Sequence, residues 1–171
     1  MTTKLHRVKD FVDAHVDLWA GQLDDLDRDV EGITVRLQVL TRYLERRREA
    51  VLAAYGLQLW EFKTLHMLRR GGTPYRATPG ELARQLGMSP AALTNRLDAL
   101  ESRGYVERTH DRDDRRKVVA TLTRSGNALW ERGIGDILRV EEELIHHLPT
   151  ADRTRLDNLL RRLVLVTEKD S

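Results

Sequence analysis

The chain has 171 residues, of which 33% are charged, 40% apolar and 5% aromatic, with no cysteine and a formal net charge of +2. That length suits one ordinary domain, or one reading module set in a helical frame, and leaves little room for two unrelated cores. The lack of cysteine excludes disulfides, thiolate metal sites and thiol redox sensing, and the small net charge excludes a polycation, so a basic surface must be built locally.

No stretch approaches the ~18 apolar residues a membrane span needs. The first nineteen residues alternate charge with apolar side chains and lack both an uninterrupted apolar region and a small-residue cleavage site, which predicts a cytoplasmic protein. Leu5, Val8, Val12, Val16, Trp19 and Leu23 recur at helical steps and predict a first helix with one apolar stripe. The acidic run Asp24, Asp25, Asp27 and Asp29 then suits the N-terminus of a second helix, where carboxylates cap backbone amides and meet the positive end of the dipole. Ile33, Leu37, Leu40, Leu44 and Val51 share a face of that helix, and Gly56 closes it. A third helix carries Leu59, Phe62, Leu65 and Leu68 and stops at Gly71-Gly72-Thr73-Pro74.

The centre is more specific. Thr78-Pro79-Gly80-Glu81 reads as a capping box with proline in the first turn, opening a short helix with Leu82, Ala83 and Leu86 inward and ending at Gly87. Ser89-Pro90 starts another helix almost at once, a spacing that predicts a helix-turn-helix. If Leu93, Leu97 and Leu100 face the core, then Ala91, Ala92, Thr94 and Asn95 project outward. Small side chains and a threonine methyl let such a tip approach thymine methyls, and Asn95 can pair with adenine's edge in the major groove. Ser89 and the helix N-terminus suit a phosphate, with Pro90 setting the first turn and Arg96 on the flank within reach of the backbone. Read alone, the same face also suits the solvent side of an ordinary bundle helix.

Residues 105–110 and 117–123 are rich in β-branched and aromatic types and predict a hairpin around the charged run Asp111-Arg112-Asp113-Asp114-Arg115-Arg116. By composition that run is equally a solvated loop. Its position favours a wing: a hairpin directly after a reading helix extends along the duplex, where an arginine at its tip meets the concentrated negative potential of the minor groove. Arg112, Arg115 and Arg116 are the candidates, with Asp114 placed to brace Arg116.

Gly104-Tyr105-Val106-Glu107-Arg108, Asp113-Asp114-Arg115-Arg116 and Leu122-Thr123-Arg124-Ser125-Gly126 together resemble the wing signature of the MarR family of bacterial regulators. The likeness extends in order and type of element over residues 30–167, and the aspartate–arginine wing leading into Leu-Thr-x-x-Gly is its most specific part. The resemblance implies a mainly α protein with a small β-hairpin wing, a winged helix-turn-helix with N- and C-terminal dimerisation helices. It implies that residues 89–96 occupy the major groove and Arg116 the minor groove, with Asp114 orienting that arginine.

Thr123 is expected to cap a long helix through Trp130, Ile134, Ile137, Leu138, Leu144 and Ile145, and Pro149-Thr150 to open a last one lined by Leu156, Leu159, Leu160 and Leu163. Such stripes need burial, and pairing with a second copy supplies it. The expected division is residues 1–55 as N-terminal helices for dimerisation and a possible ligand wall, 56–123 as the reader, and 124–171 as C-terminal dimerisation helices. Two readers on one dimer predict a palindromic duplex DNA operator, and a cytoplasmic, nucleoid-associated regulator.

Trp19, the Trp60-Glu61-Phe62 segment and the run from Pro74 to Leu82 resemble the branch of the family that senses urate and related small aromatic anions. Lys63 stands where that branch usually carries an acid, which argues against urate itself. That resemblance predicts a small-molecule pocket with Trp19 and Trp60 as aromatic walls and Lys63 or Arg28 as anion partner. The alternative is that Trp19, Trp60 and Phe62 fill a dimer core. His146-His147 with Glu142 and Glu143 superficially mimic a zinc site, but adjacent histidines diverge by about 100° on a helix. No phosphate loop or nucleophile elbow occurs, so neither an enzyme nor a cofactor is expected. The expected function is a repressor released from DNA by a small ligand; the rivals are a dimeric helical interaction module and a metal-responsive regulator.

Overall fold

A computed structural model describes residues 8–111, 114 and 116–169. Seven helices and three short strands follow in the order α1 (Phe11–Ala20), α2 (Arg28–Ala53), α3 (Leu59–Arg70), β1 (Arg76–Ala77), α4 (Pro79–Gln85), α5 (Pro90–Ser102), β2 (Val106–His110), β3 (Val118–Leu122), α6 (Arg124–Ile145) and α7 (Thr150–Thr167) among these residues. The chain divides into two compact units, Met1–Arg46 and Arg47–Ser171, the division falling within α2.

In the first unit, α1 starts later than its apolar period suggests. Asp10 caps it, accepting from the amides of Val12 and Asp13, while Asp13 Oδ2 accepts from the Asp10 amide at 2.9 Å. Arg36 of α2 closes the corner with Nε 2.9 Å from Asp10 Oδ2, and this hydrogen bond is the main reason the Asp10 carboxyl is held below its usual range. Val12 and Val16 are buried, whereas Val8 lies ahead of the helix, 88% exposed, and Leu5 falls outside the described residues. Asp27 opens α2 by accepting from the amides of Asp29 and Val30. The expected inward stripe of α2 is largely uncovered: Ile33, Leu37 and Leu40 are exposed.

The second unit holds two apolar clusters. One joins Leu65 and Leu68 of α3, Leu82 and Ala83 of α4, Leu93, Leu97 and Leu100 of α5, and Val106, Ala120 and Leu122 of the sheet. Its helical leucines are at most 1% exposed, and burying each contributes roughly 1.5–3 kcal/mol. The other joins Leu52, Leu57, Phe62, Leu129 and Ile137, so α6 buries Leu129, Ile137 and Val140, while Leu138 and Ile145 of its expected stripe are exposed.

The sheet has one strand more than the predicted hairpin. β2 and β3 pair antiparallel from Val106↔Leu122 to His110↔Val118, and β1 adds to the other side of β3 through Arg76↔Thr121 and Ala77↔Ala120, giving the order β1-β3-β2. The Leu-Thr-x-x-Gly run is where the sheet meets α6. Thr123 Oγ1 accepts from the Gly126 amide at 3.0 Å and donates to Gly104 O at 2.8 Å. A Cβ on Gly126 would lie 2.1 Å from Tyr105 O, so only glycine permits this approach. No residue of α7 is buried, and no helix among the described residues is long and apolar enough to cross a membrane.

Candidate nucleic-acid interface

Two adjacent caps set the geometry of α4 and α5. Thr78 Oγ1 accepts from the Glu81 amide, and Glu81 Oε2 accepts from the Thr78 amide at 2.8 Å. That backbone contact is the main cause of the Glu81 carboxyl lying below its usual range. Gly87 turns the chain at φ +63, a left-handed conformation that side chains with a Cβ rarely adopt. Ser89 then caps α5, its Oγ accepting from the Ala92 amide at 3.2 Å, and Pro90 occupies the first turn.

With Leu93, Leu97 and Leu100 buried, Pro90, Ala91, Ala92, Thr94 and Asn95 are exposed together with Ser89 at the helix start. The Thr94 hydroxyl donates to Pro90 O at 3.0 Å. The amide of Asn95 has both a donor and an acceptor, the combination that adenine's major-groove edge requires.

The wing is organised by aspartates. Asp111 Oδ1 accepts from the Asp114 amide, and Asp114 Oδ1 accepts from both the Arg116 amide at 3.1 Å and Arg116 Nε at 3.3 Å. The aspartate thus grips the arginine at its root while the side chain stands 93% exposed. Arg112 and Arg115 lie outside the described residues.

Arg96 is half-buried, its guanidinium 5.4 Å from the centre of the Trp60 ring. With Trp60, Lys63, Glu49, Leu86 and Met88 it lines an open cleft of about 550 Å³. The structure therefore brings Trp60 and Lys63 together, and adds Arg96, which sequence reasoning had assigned to the DNA backbone. Trp19 and Arg28 belong to the first unit: Trp19 is exposed beside the His15 ring, and Arg28 pairs with Asp17.

Two ion-pair clusters around α5 escaped the sequence reading. Arg103, its C-terminal cap, donates to Glu61 Oε1 at 2.5 Å, to Gly56 O at 2.8 Å and to Tyr105 Oη at 3.3 Å. The contact with Glu61, whose side chain is 3% exposed, raises the Arg103 pKa further. Arg108 of β2 forks onto Glu101 Oε2 from Nε at 2.9 Å and Nη2 at 2.6 Å, and Nη2 also lies 2.5 Å from Asp98. Hydrogen bonding from Arg108 holds the Glu101 carboxyl below its usual range. The Arg103–Glu61 pair has no short-range signature, because the two residues are 42 apart, and the Arg108–Glu101 pair, 7 apart, spans the turn from α5 into β2 and follows no helical spacing. His146 and His147 are exposed at the end of α6, and no group of three or more metal-binding side chains occurs among the described residues.

Tandem capped helices, an outward polar tip and a braced arginine on an adjoining hairpin define a winged helix-turn-helix protein. A family model described as the MarR family matches residues 55–117. The HTH-type transcriptional regulator PecS of Dickeya dadantii is 31% identical over 148 residues, covering 86% of this chain and 89% of that protein. The multiple antibiotic resistance protein MarR of Escherichia coli is 27% identical over 143 residues, 82% of this chain and 96% of that one. A solved mutant of that MarR complexed with operator DNA matches with TM-score 0.69 and 27% identity, covering 81% of this chain and 98% of its own. A MarR family protein from Bacillus stearothermophilus matches in fold with TM-score 0.73 at 22% identity, covering 84% and 98%. The chain belongs to the MarR family of transcriptional regulators.

Proposed function

We propose that this chain is a sequence-specific DNA-binding regulator that acts as a homodimer on a palindromic operator in the cytoplasm, at the nucleoid when bound. The observation that carries the reading is the outward tip of α5 beside a protruding Arg116. Ala91, Ala92, Thr94 and Asn95 read base edges in the major groove, Ser89, Pro90 and the helix N-terminus seat a phosphate, and Arg116, with Arg112 and Arg115 nearby in sequence, serves the minor groove. Residues 56–123 form the reader. The helices on either side supply the dimer, a role supported by the exposed leucines of α7 and the exposed Ile33, Leu37 and Leu40 of α2. The solved operator complex of the E. coli relative supports the same assignment.

Regulation by a small ligand is supported by the cleft at Trp60. An aromatic ring and the cations Lys63 and Arg96 suit a small aromatic anion, and Arg96 places such a ligand directly on α5. Displacing α5 releases the duplex, so the regulator is a repressor relieved by its ligand. Trp19 and Arg28, of the first unit, stand as ligand candidates through the urate-branch likeness alone.

The test is selection of duplexes from a random pool by the full-length protein, followed by binding across a salt series. An enriched inverted repeat, with affinity falling steeply with salt at a slope of about −0.9 per phosphate neutralised, supports the reading. Enrichment of no sequence sinks it. For the ligand, aromatic acids and purines should raise the melting temperature of the wild type and not of Trp60→Ala. A panel without any shift removes the repressor-release half of the reading.

A further inference from the structure

The Glu61 and Arg108 clusters have a common geometry around α5. At about 100° per residue, Arg96 and Arg103 fall within about 20° of each other on one flank of this helix. Asp98 and Glu101 fall on the opposite flank, about 180° away, and Asn95 lies close to midway between the two flanks on the outer side. Leu93, Leu97 and Leu100 face the other way, into the core. The first flank is held by adjacent residues of α3, with Trp60 under Arg96 and Glu61 on Arg103. The second is held by Arg108 of β2 on Asp98 and Glu101.

Leucines alone fix how deeply a helix sits but resist rotation about its axis weakly, because an apolar contact has no direction. Charge-assisted forks are directional. The geometry points to Glu61–Arg103 and Arg108–Glu101 as opposed struts that set the roll of α5, and hence the base edge that Asn95 meets. These four are positioning residues: none need touch DNA. Glu61 is suited to the task because its carboxylate serves twice, Oε2 accepting from the Gln58 amide at 2.8 Å while Oε1 accepts from Arg103, which ties α5 to the rigid first turn of α3. Arg108 is likewise anchored, since its own amide donates to Glu101 Oε1 at 2.9 Å. The strut on this side therefore also couples α5 to the strand that leads into the wing.

This inference rests on the DNA-reading assignment of α5, and its experiment keeps the two apart. The proteins are the full-length wild type, the pair Glu61→Gln with Arg103→Gln, Arg108→Gln, and each combined with Asn95→Ala. Binding is measured to the selected duplex, to its single-base variants and to a random duplex, with thermal melts alongside. The paired change removes both charges together, so no lone carboxylate is left buried. The expected result is a loss of about tenfold on the selected duplex with random-duplex affinity within about twofold, and a flattened preference at the same base positions that Asn95→Ala flattens. Asn95→Ala on top of a broken strut should then cost little, because the two changes remove one interaction. Folded strut variants that keep the wild-type base profile overturn the inference, and so do variants whose selected and random affinities fall together in step with their melting. Should the paired variant fail to fold, Arg103→Lys and Arg108→Gln carry the test, lysine keeping the charge but losing the fork. A wild type that selects no duplex fails the earlier reading instead.

Discussion

Helices α5 and α7 carry almost the same leucine pattern and meet opposite fates. In α5, Leu93, Leu97 and Leu100 are at most 1% exposed, and both flanks are tied to neighbouring elements by ion pairs. In α7, Leu156, Leu159, Leu160 and Leu163 are 36–53% exposed, and the described ion pair there is Arg161 with Asp157 of the same helix. A periodic apolar stripe states that a face will be covered; the chemistry of the surroundings decides whether the cover comes from the same chain. On the proposed reading, α5 is furnished for precision and α7 for pairing.

The difference can be broken most forcefully in the core. Leu97→Ala should lower the unfolding free energy by about 2–5 kcal/mol whatever the protein concentration, whereas Leu159→Ala should cost stability that depends on concentration; chemical denaturation at two dilutions distinguishes them. Equal, concentration-independent losses would mean that α7 is covered within its own chain. Next in size, placing lysines at Leu159 and Leu163 should shift sedimentation from dimer to monomer while the helical circular dichroism of the reader persists. Retained dimers would move the contact elsewhere.

Arg116→Ala should weaken operator binding by about tenfold, about 1.4 kcal/mol, without altering the melting temperature, since its side chain is 93% exposed. A melting change of several degrees would show that this arginine supports the fold. The smallest effect concerns His66, whose Nδ1 accepts from Trp130 Nε1 at 3.2 Å between α3 and α6. Burial pushes its pKa below the ordinary 6.5, so the unfolded chain takes up the proton first and stability falls as pH drops below that value through the lowered native one. His66→Gln should flatten the dependence of stability on pH between about 7 and 5, read from urea midpoints. An unchanged slope assigns the dependence to other groups.

Much of the reader was legible because its signals are local. Thr78 with Glu81 and Ser89 with Pro90 form hydrogen bonds or preset angles within a few residues, and the leucine period of α5 fixes its outer face once the inner one is known. Asp114 bracing Arg116 is also local, two residues apart. The two-residue strand β1 has no alternation to betray it; it exists because β3 offers an edge. Glu61 reads as an ordinary first-turn acid until the fold brings Arg103 to it. The late start of α1 was readable after all in Asp10 and Asp13, a reciprocal cap that outweighs the apolar period before it. In α2 the stripe of Ile33, Leu37 and Leu40 was identified as apolar, yet periodicity alone could not say that nothing within the described chain buries it.

On the proposed reading, two outward α5 tips, each beside an Arg116, meet one duplex together. Hydroxyl-radical footprinting of the wild-type complex on a selected duplex tests it most directly. Two equivalent protected patches related by a dyad, their major-groove centres about one helical turn or roughly 34 Å apart and flanked by minor-groove protection that Arg116→Ala removes, are the expected pattern. A single patch without a symmetric mate, or flanking protection indifferent to Arg116, would contradict it.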